Sequence, residues 1–213
     1  MIAVADLDEG LARLTASGIA LPDGATHQLA AYLALLAKWN RTFNLTAIRE
    51  PERMVTHHVL DSLAILPHLP DRRGLRIADV GSGGGVPGVP LAIVRPDWFV
   101  TLIDSNHKKG AFLRQVAAEL GLHNAEIVTK RAEEHLPSVP FDVVVSRAFS
   151  DLATFVTVGL PLLAPGGRLV AMKGVFPYEE LTEVAADVHV QGTYPVTVPG
   201  LDAERHVVIM ERS

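Results

Sequence analysis

A glycine-rich segment contains the residue types and spacing that most clearly suggest chemistry. The segment, DVGSGGGVPG at residues 79–88, directly follows a short apolar run typical of a buried strand. Gly81, Gly83 and Gly85 permit a tight turn and the close approach of a ligand, because they carry no side chain. Such a loop after a first strand binds nucleotide-like ligands in doubly wound folds, whereas a flexible turn is the plainer alternative. Val86 occupies the third glycine position of the dinucleotide pattern, so a dinucleotide ligand is disfavoured.

An acidic residue follows the second predicted strand. Asp104 lies nineteen residues after Gly85, and a carboxylate at this place accepts hydrogen bonds from the ribose hydroxyls of an adenosine ligand. The alternative is a helix N-cap, because Asp104, Ser105 and Asn106 immediately precede a predicted helix. We favour the ribose role because the glycine segment lies upstream.

Two further segments follow the third and fourth predicted strands. Ala132 and Glu133 come after the third strand, and Ser146, Arg147 and Ala148 come at the end of the fourth. The carboxyl ends of parallel strands share one edge of a sheet, so we expect both segments beside the same ligand. Glu133 also has a plainer explanation as an acid in the first turn of a helix, where the helix dipole favours it.

An alternation of strands and helices would position these segments. The predicted strands cover residues 75–80, 99–103, 125–128, 141–146, 168–173 and 207–210. The predicted helices between them cover residues 90–95, 108–120 and 133–136, and three earlier ones cover 8–17, 26–40 and 51–66. This alternation predicts an α/β, Rossmann-like fold with a mostly parallel sheet flanked by helices. We therefore expect an N-terminal helical extension at residues 1–71 and a ligand-binding domain at residues 72–213.

Composition excludes several classes of function. The 213 residues are 48% hydrophobic and 20% charged, which suits a folded core. The absence of cysteine excludes disulfides, Cys-ligated zinc, iron–sulfur clusters and a thiol nucleophile. We expect no metal site, because the adjacent His57 and His58 point to different helix faces. No basic residue precedes Arg13 and the apolar run at residues 29–37 is short, so we expect a cytoplasmic protein without signal peptide or membrane span.

Several segments together resemble one family. They are KWNRTFNLTAI (38–48), HHVLDSL (57–63), SRAF (146–149), MKG (172–174) and LDAERH (201–206). With the glycine segment and Asp104, the chain resembles class I S-adenosylmethionine-dependent methyltransferases, and among them the ribosomal RNA small subunit methyltransferase G family, also called glucose-inhibited division protein B. The resemblance extends from Leu29 to the C-terminus.

The resemblance implies transfer of a methyl group to N7 of one guanosine in 16S ribosomal RNA, with S-adenosyl-L-methionine as the cofactor. It assigns cofactor contacts to Gly81, Val86, Ala132, Glu133 and Arg147. Together with the glycine segment and the acid after strand two, the candidate cofactor-binding residues are Gly81, Gly83, Gly85, Val86, Asp104, Ala132, Glu133 and Arg147.

Methylation of guanine N7 makes modest chemical demands. The nitrogen has a free lone pair and loses no proton, so the reaction needs alignment rather than a general base. Cytosine C5 chemistry would need a cysteine, and SRAF lacks the Asn/Asp-Pro-Pro-aromatic segment usual for exocyclic amines. Arg147 is our candidate catalytic residue, with a positioning role, because a guanidinium can hold the cofactor or the nucleotide by paired bonds or stacking. Phe149 either stacks on a displaced guanine or packs in the core.

The charge distribution suggests where RNA binds. The last 37 residues carry 2 basic and 7 acidic side chains and account for the net charge of −5, whereas residues 1–176 carry 17 of each. Residues 38–53 contain one basic cluster, and solvated helix faces are the plainer explanation of such clusters. The candidate RNA-binding residues are Lys108, Lys109, Lys130, Arg131 and Lys173. We expect a monomer whose partner is 16S ribosomal RNA, free or in a small-subunit particle.

Three alternatives remain open from the sequence. The chain could methylate another RNA or a small molecule. It could be a non-catalytic module that binds adenosylmethionine or RNA during ribosome assembly. It could also be a dinucleotide-dependent oxidoreductase, although the interrupted glycine pattern disfavours this.

Overall fold

Helices are the main elements of the described chain before the first strand. The computed structural model of the protein describes residues 4–147 and 149–213. The first helices are α1 (Val4–Ala16), α2 (Ala25–Phe43), α3 (Pro51–Met54) and α4 (Asp61–Leu63). A π-helical stretch (Val55–Leu60) joins α3 to α4 without a break, and a 3-10 turn (Leu66–His68) follows. The helix predicted over residues 51–66 is therefore present but contains a π-helical interruption.

Helix α2 shows how a helical pattern attaches the N-terminal part to the rest of the protein. Leu29, Leu33 and Leu36 repeat at helical spacing and are fully or almost fully buried. A polar group on the same helix adds a specific link. The Tyr32 hydroxyl donates to the Gly84 carbonyl at 2.7 Å, within the glycine segment. The burial of this face therefore holds α2 directly behind the glycine segment.

A seven-stranded sheet forms the centre of the protein, in the order β3-β2-β1-β4-β5-β7-β6. Its strands are β1 (Arg76–Val80), β2 (Phe99–Ile103), β3 (Ala125–Val128), β4 (Phe141–Arg147), β5 (Leu163–Lys173), β6 (Val188–Pro195) and β7 (His206–Arg212). The first five strands pair in parallel, and β7 runs antiparallel to both β5 and β6. The predicted α/β class with a mostly parallel sheet is thus confirmed.

The crossover helices are α5 (Gly88–Val94), α6 (His107–Leu120), α7 (Leu152–Gly159) and α8 (Tyr178–Thr182). The sequence prediction missed α7, α8 and β6. Strand β6 is an edge strand whose residues are mostly exposed or half-buried, with a register shift near Gly192, so it lacks a clear apolar alternation. The helix predicted at residues 133–136 was wrong, because only a 3-10 turn (Ala132–Glu134) forms there.

Two hydrophobic cores lie on opposite faces of the sheet. Along β1 and β4, Ile77, Val143 and Val145 face one core, whereas Ala78 and Val144 face the other, as the two-residue period of a strand requires. The first core also contains the apolar faces of the N-terminal helices, and the second contains that of α7. The N-terminal helices therefore pack on one face of the sheet. In the part of the chain that the structure describes, no helix has the length and apolar character needed to cross a membrane.

Candidate functional site

The glycine segment forms a tight loop at the carboxyl end of β1. Gly83 has a φ of +56°, and its N–H donates to Asp104 Oδ2 at 2.9 Å. Gly85 has a φ of +94°, and a Cβ added there would lie 2.6 Å from Val89 Cγ2. A side chain at Gly85 would therefore meet both backbone strain and a clash with α5, so the loop requires glycine at this position.

The Asp104 carboxylate ties this loop to the end of β2. Its Oδ2 also accepts from Lys109 Nζ at 3.3 Å, and its Oδ1 accepts from the Asn106 N–H at 2.9 Å. The cap of α6 is Asn106, whose side chain accepts from the N–H groups of Lys108 and Lys109. The N-cap alternative for Asp104 was therefore wrong. A carboxylate offers about four acceptor positions, so Asp104 retains capacity for a ligand hydroxyl.

A cleft of about 290 Å³ opens beside the loop, and we call it the glycine-loop cleft. It brings together four of the predicted cofactor residues, namely Gly81, Asp104, Ala132 and Glu133. Three predicted RNA-binding residues, Lys109, Lys130 and Arg131, line the same cleft. The structure therefore places two sets of candidates, which the sequence analysis kept apart, around one opening.

The other walls of the glycine-loop cleft are mainly apolar. Val80, Ile103, Phe149 and Val158 contribute these surfaces, and Ser105 adds a polar group. Sequence reasoning did not single out the aliphatic residues, because apolar residues at strand ends or in helices carry no signal that separates a ligand wall from a core. Phe149 was considered for stacking. Its ring lines the cleft and lies 5.5 Å, between centroids, from the core residue Phe155.

Val86 lies in a different environment from Gly81. Its side chain is buried and packs in the first hydrophobic core. Gly83 and Gly85 shape the loop through their backbone rather than forming the lining of the cleft. The assignment of cofactor contacts to these three residues stays a prediction.

Asp79 is fully buried beneath the loop. Its Oδ2 accepts from the Gly88 N–H at 2.8 Å, and this bond joins the end of β1 to the start of α5. Burial raises the pKa of Asp79 to about 7, partly offset by the Gly88 hydrogen bond and by the charge of Arg147. Among the described residues, Asp79 Oδ1 and Ser82 Oγ have no hydrogen-bond partner. These polar atoms lie under a glycine backbone that is open to a ligand.

The cleft fits an adenosine-type ligand by its chemistry. A carboxylate beside the loop suits ribose hydroxyls, and the apolar walls suit the faces of a purine ring. The glycine backbone leaves room for a ligand to approach closely. The residues present are therefore consistent with the cofactor that the sequence resemblance implies.

A second cavity of about 340 Å³ lies at the carboxyl ends of β4 and β5, and we call it the Asp61 cavity. The Asp61 side chain is only 5% exposed. Its Oδ2 accepts from Arg147 Nη1 at 3.1 Å, and its Oδ1 accepts from Arg205 Nε at 3.0 Å. The lining residues are Ile48, His57, Asp61, Arg147, Met172, Lys173, Gly174 and Arg205.

Arg147 is held by the helix that precedes α4. It donates through Nη1 to the His57 carbonyl, and its Nη2 lies 3.3 Å from His58 Nδ1. Burial and the charge of Arg147 lower the pKa of His58 to about 3, so the imidazole is neutral at pH 7. The guanidinium thus lies in the Asp61 cavity rather than in the lining of the glycine-loop cleft. Its contact with the cofactor stays a prediction.

The two predicted RNA-binding lysines outside the glycine-loop cleft differ from each other. Lys173 Nζ pairs with Glu180 Oε2 at 2.6 Å and lies 3.5 Å from the Phe149 carbonyl oxygen. Lys108 is exposed, and its Nζ lies 5.9 Å from the centroid of the Phe43 ring. The Lys108 side chain is therefore exposed at the surface, whereas Lys173 forms an ion pair in the wall of the Asp61 cavity. Their RNA contacts stay predictions.

Comparison with known protein families gives one match over most of the chain. The family described as rRNA small subunit methyltransferase G matches residues 25–208. This range includes α2, which packs behind the glycine segment, and nearly all of the sheet.

Curated relatives agree with this match. The chain is 55% identical over 206 residues to the ribosomal RNA small subunit methyltransferase G of Chromobacterium violaceum, covering 97% of this chain and 96% of the relative. It is 50% identical over 214 residues to the protein of the same name from Nitrosospira multiformis, again covering 97% and 96%.

A solved structure shows the same fold at lower identity. TrmN from Thermus thermophilus superposes with a TM-score of 0.55 at 21% identity, over 75% of this chain and 53% of that one. At this level of identity the likeness concerns the fold alone.

Proposed function

Because the chain belongs to the rRNA small subunit methyltransferase G family, we propose that it transfers a methyl group from S-adenosyl-L-methionine to N7 of one guanosine in 16S ribosomal RNA. The observation that carries the proposal is the meeting of Gly81, Asp104, Ala132 and Glu133 in one cleft at the carboxyl edge of the sheet. This edge is where doubly wound folds bind their ligands.

The glycine-loop cleft would hold the cofactor. Asp104 would accept hydrogen bonds from ribose hydroxyls, while Ile103 and Val158 would contact the purine. Ala132 and Glu133 border the same opening, and Gly83, Gly85 and Val86 would maintain the loop beside it. When bound, S-adenosylmethionine supplies a methyl group on a sulfonium centre.

The residues of the chain orient the reactants rather than move a proton. Guanine N7 attacks through a lone pair that carries no hydrogen, so alignment is the main requirement. Arg147 is the last residue of β4, its guanidinium lies in the Asp61 cavity, and it is our candidate positioning residue. Phe149 adds an aromatic surface on the cofactor side, which could receive a guanine displaced from its stack.

The RNA would approach the basic rim of the glycine-loop cleft. Lys130 and Arg131 are exposed there, and Lys109 is half-buried. Cations at these positions would bind phosphates near the reacting base. Lys108 extends this rim, and Lys173 lies further along the same edge of the sheet.

We include four related expectations in the proposal. The protein acts as a monomer in the cytoplasm, on free 16S ribosomal RNA or on a small-subunit particle. Residues 1–71 form a helical extension of a cofactor-binding domain at residues 72–213.

A labelling experiment tests the proposal. Purified protein is incubated with tritiated S-adenosylmethionine and, separately, with small-subunit particles, free 16S RNA, other RNAs and metabolites. We expect label in 16S RNA at a guanosine that becomes sensitive to chemical cleavage specific for N7-methylguanosine. Label only in another substrate would overturn the proposal, and cofactor binding without any transfer would favour the assembly-module alternative.

Two variants connect this activity to the cleft. Asp104→Asn removes the charge that would hold the ribose, so we expect cofactor affinity to fall about tenfold. Asp71→Asn is the matched control, because Asp71 is 84% exposed and pairs with Arg95 far from the carboxyl edge. Equal cofactor affinity in the two variants, measured by calorimetry, would contradict the assignment of Asp104.

Arg147→Ala tests the positioning role. We expect at least a hundredfold loss of methyl transfer, because misplacement of a reacting group by about 1 Å has an effect of this size. Circular dichroism and a cofactor titration would show whether the fold and the glycine-loop cleft persist. Normal transfer kinetics in the folded variant would remove Arg147 from the proposal.

A further inference from the structure

The Asp61 cavity is assembled from segments that are far apart in the chain. Asp61 lies 86 positions from Arg147 and 144 positions from Arg205, yet it contacts both. The five segments on which the sequence resemblance rests, at residues 38–48, 57–63, 146–149, 172–174 and 201–206, each contribute at least one lining residue. The proposed function uses Arg147 from this lining as a positioning residue but assigns no ligand to the cavity itself.

The cavity carries an excess of positive charge. Asp61 offsets one of the two guanidiniums that it contacts, so the group of three has a net charge of +1. Lys173 is paired with Glu180, and burial lowers the pKa of His57, which favours the neutral imidazole. The sole carboxylate of the lining is nearly inaccessible and is already shared by two arginines. The cavity therefore suits an anion rather than a cation.

The N–H groups of Arg147 and Arg205 that have no partner in the described part of the chain also favour an anion as the ligand. A guanidinium has five N–H groups. Among the described residues, Arg205 uses one on Asp61 and one on the Glu204 carbonyl, and its side chain remains 23% exposed. Arg147 uses three, towards His57, His58 and Asp61. Five N–H groups on two fixed guanidiniums thus remain for a ligand with several acceptor oxygens, and phosphate is the anion that such a fork matches best.

The cavity adjoins the glycine-loop cleft. Phe149 lines the cleft, Arg147 and Lys173 line the cavity, and the Lys173 ammonium lies 3.5 Å from the Phe149 carbonyl oxygen. The end of β4 is therefore the wall between them. An RNA strand that presents a base to the cleft would bring its backbone along this wall.

We propose that the Asp61 cavity binds a backbone phosphate of the substrate RNA next to the methylated nucleotide, with Arg205 and Arg147 as the ligands. Asp61 is the positioning residue that fixes both guanidiniums. The assignment to RNA rests on the function proposed above. The other anion that could enter is the carboxylate of the cofactor, and the experiment separates the two.

Arg205→Gln is the main test variant, because it removes one charge while Asp61 keeps Arg147 as a partner. Binding of an unmethylated 16S RNA transcript is measured without cofactor at several salt concentrations, and cofactor affinity is measured separately by calorimetry. We expect about tenfold weaker RNA binding and a salt dependence reduced by about one ion, with cofactor affinity unchanged. Arg205→Lys should restore the salt dependence but only part of the affinity, because lysine lacks the guanidinium fork.

Arg13→Gln is the matched control, since Arg13 is a paired and exposed arginine on α1. RNA binding by Arg205→Gln equal to that of this control would overturn the phosphate site. A loss of cofactor affinity with unchanged RNA binding would also overturn it, in favour of the cofactor carboxylate. The activity of the wild-type protein is a separate readout. If it binds the transcript with the predicted Arg205 dependence but methylates no 16S RNA, the phosphate site stands and the proposed function fails.

Discussion

The glycine-loop cleft and the Asp61 cavity lie side by side but are built in different ways. In the cleft, the bond that joins the loop to its acidic partner links Gly83 and Asp104, which are 21 positions apart and follow two neighbouring parallel strands. In the cavity, Asp61 reaches partners 86 and 144 positions away. The cleft follows from the order of adjacent strands, whereas the cavity exists only because the N-terminal helices pack on the sheet.

The two regions also differ in their electrostatics. In the glycine-loop cleft the Asp104 carboxylate accepts from a backbone N–H and from Lys109, the charged side chains of Lys130, Arg131 and Glu133 border the opening, and burial raises the pKa of Asp79 beneath the loop to about 7. In the Asp61 cavity one buried carboxylate pairs with two guanidiniums, which leaves one positive charge in excess. The first arrangement suits a ligand with hydroxyl groups, and the second suits an anion. Three variants test this contrast.

Asp61→Asn has the largest expected effect on stability. The amide can accept from one arginine, but its NH₂ group would face the other, and two guanidiniums would lose their counter-charge. We expect a loss of about 3–5 kcal/mol in the free energy of unfolding, as for other buried ion pairs that lose a partner. Urea unfolding measures it, with the exposed Asp71→Asn as the control, for which a change below about 1 kcal/mol is expected. Equal losses would show that the Asp61 cavity is not held by charge pairing.

Gly85→Ala tests the geometry of the glycine-loop cleft. The added methyl group would lie 2.6 Å from Val89 Cγ2, and the backbone of the alanine would have to keep a φ near +94°. We expect cofactor affinity to fall about a hundredfold, because the loop must shift by a distance of the order of 1 Å. Gly74→Ala is the matched control, since Gly74 also has a positive φ, of +71°, but open space around its Cβ position. Calorimetry that finds the same cofactor affinity in both variants would argue against a fixed loop.

Asp79→Asn has the smallest expected effect and concerns pH. In the folded protein burial raises the pKa of Asp79 to about 7, above the ordinary value of 3.8. The protonated Asp79 therefore stabilises the fold at low pH. Stability is lost as the pH rises through 7, because the unfolded chain binds fewer protons than the native state. Between pH 5 and pH 7.5 we expect the wild type to lose about 2 kcal/mol that Asp79→Asn does not lose.

Urea unfolding at the two pH values measures this difference. Asp23→Asn, on the exposed turn before α2, is the control. Identical pH profiles for Asp79→Asn and the wild type would mean that Asp79 is ionised in the folded protein.

The fold was predictable where apolar runs alternate with amphipathic helices. The strands predicted at residues 99–103 and 125–128 have the observed bounds, because each is a short, mostly apolar stretch that polar residues follow. Helix α7 was missed because its apolar residues form a nearly continuous run, in which neither the helical nor the strand periodicity is evident. Strand β6 was missed for the opposite reason, since edge position and exposure remove the apolar alternation.

The candidate site was predictable to a similar degree. Family membership was correctly predicted, and the structure brings Gly81, Asp104, Ala132 and Glu133 into one cleft, while their contact with the cofactor stays a prediction. The Arg147–Asp61–Arg205 group was not identified, although all three residues lie in segments that the resemblance includes. Spacing along the chain gives no information about partners that meet only through packing.

The sequence by itself therefore determined the alternation of strands and helices that places a glycine loop and an acid after successive parallel strands, and so at one sheet edge. It also determined the family. Only the tertiary structure decided that Lys109, Lys130 and Arg131 border the same cleft, that Asn106 rather than Asp104 caps α6, and that Arg147 turns to Asp61. The physical reason is that a buried charge is stable only when it is paired. Which residue comes close enough to pair with it depends on the packing of the whole core rather than on neighbouring residues in the chain.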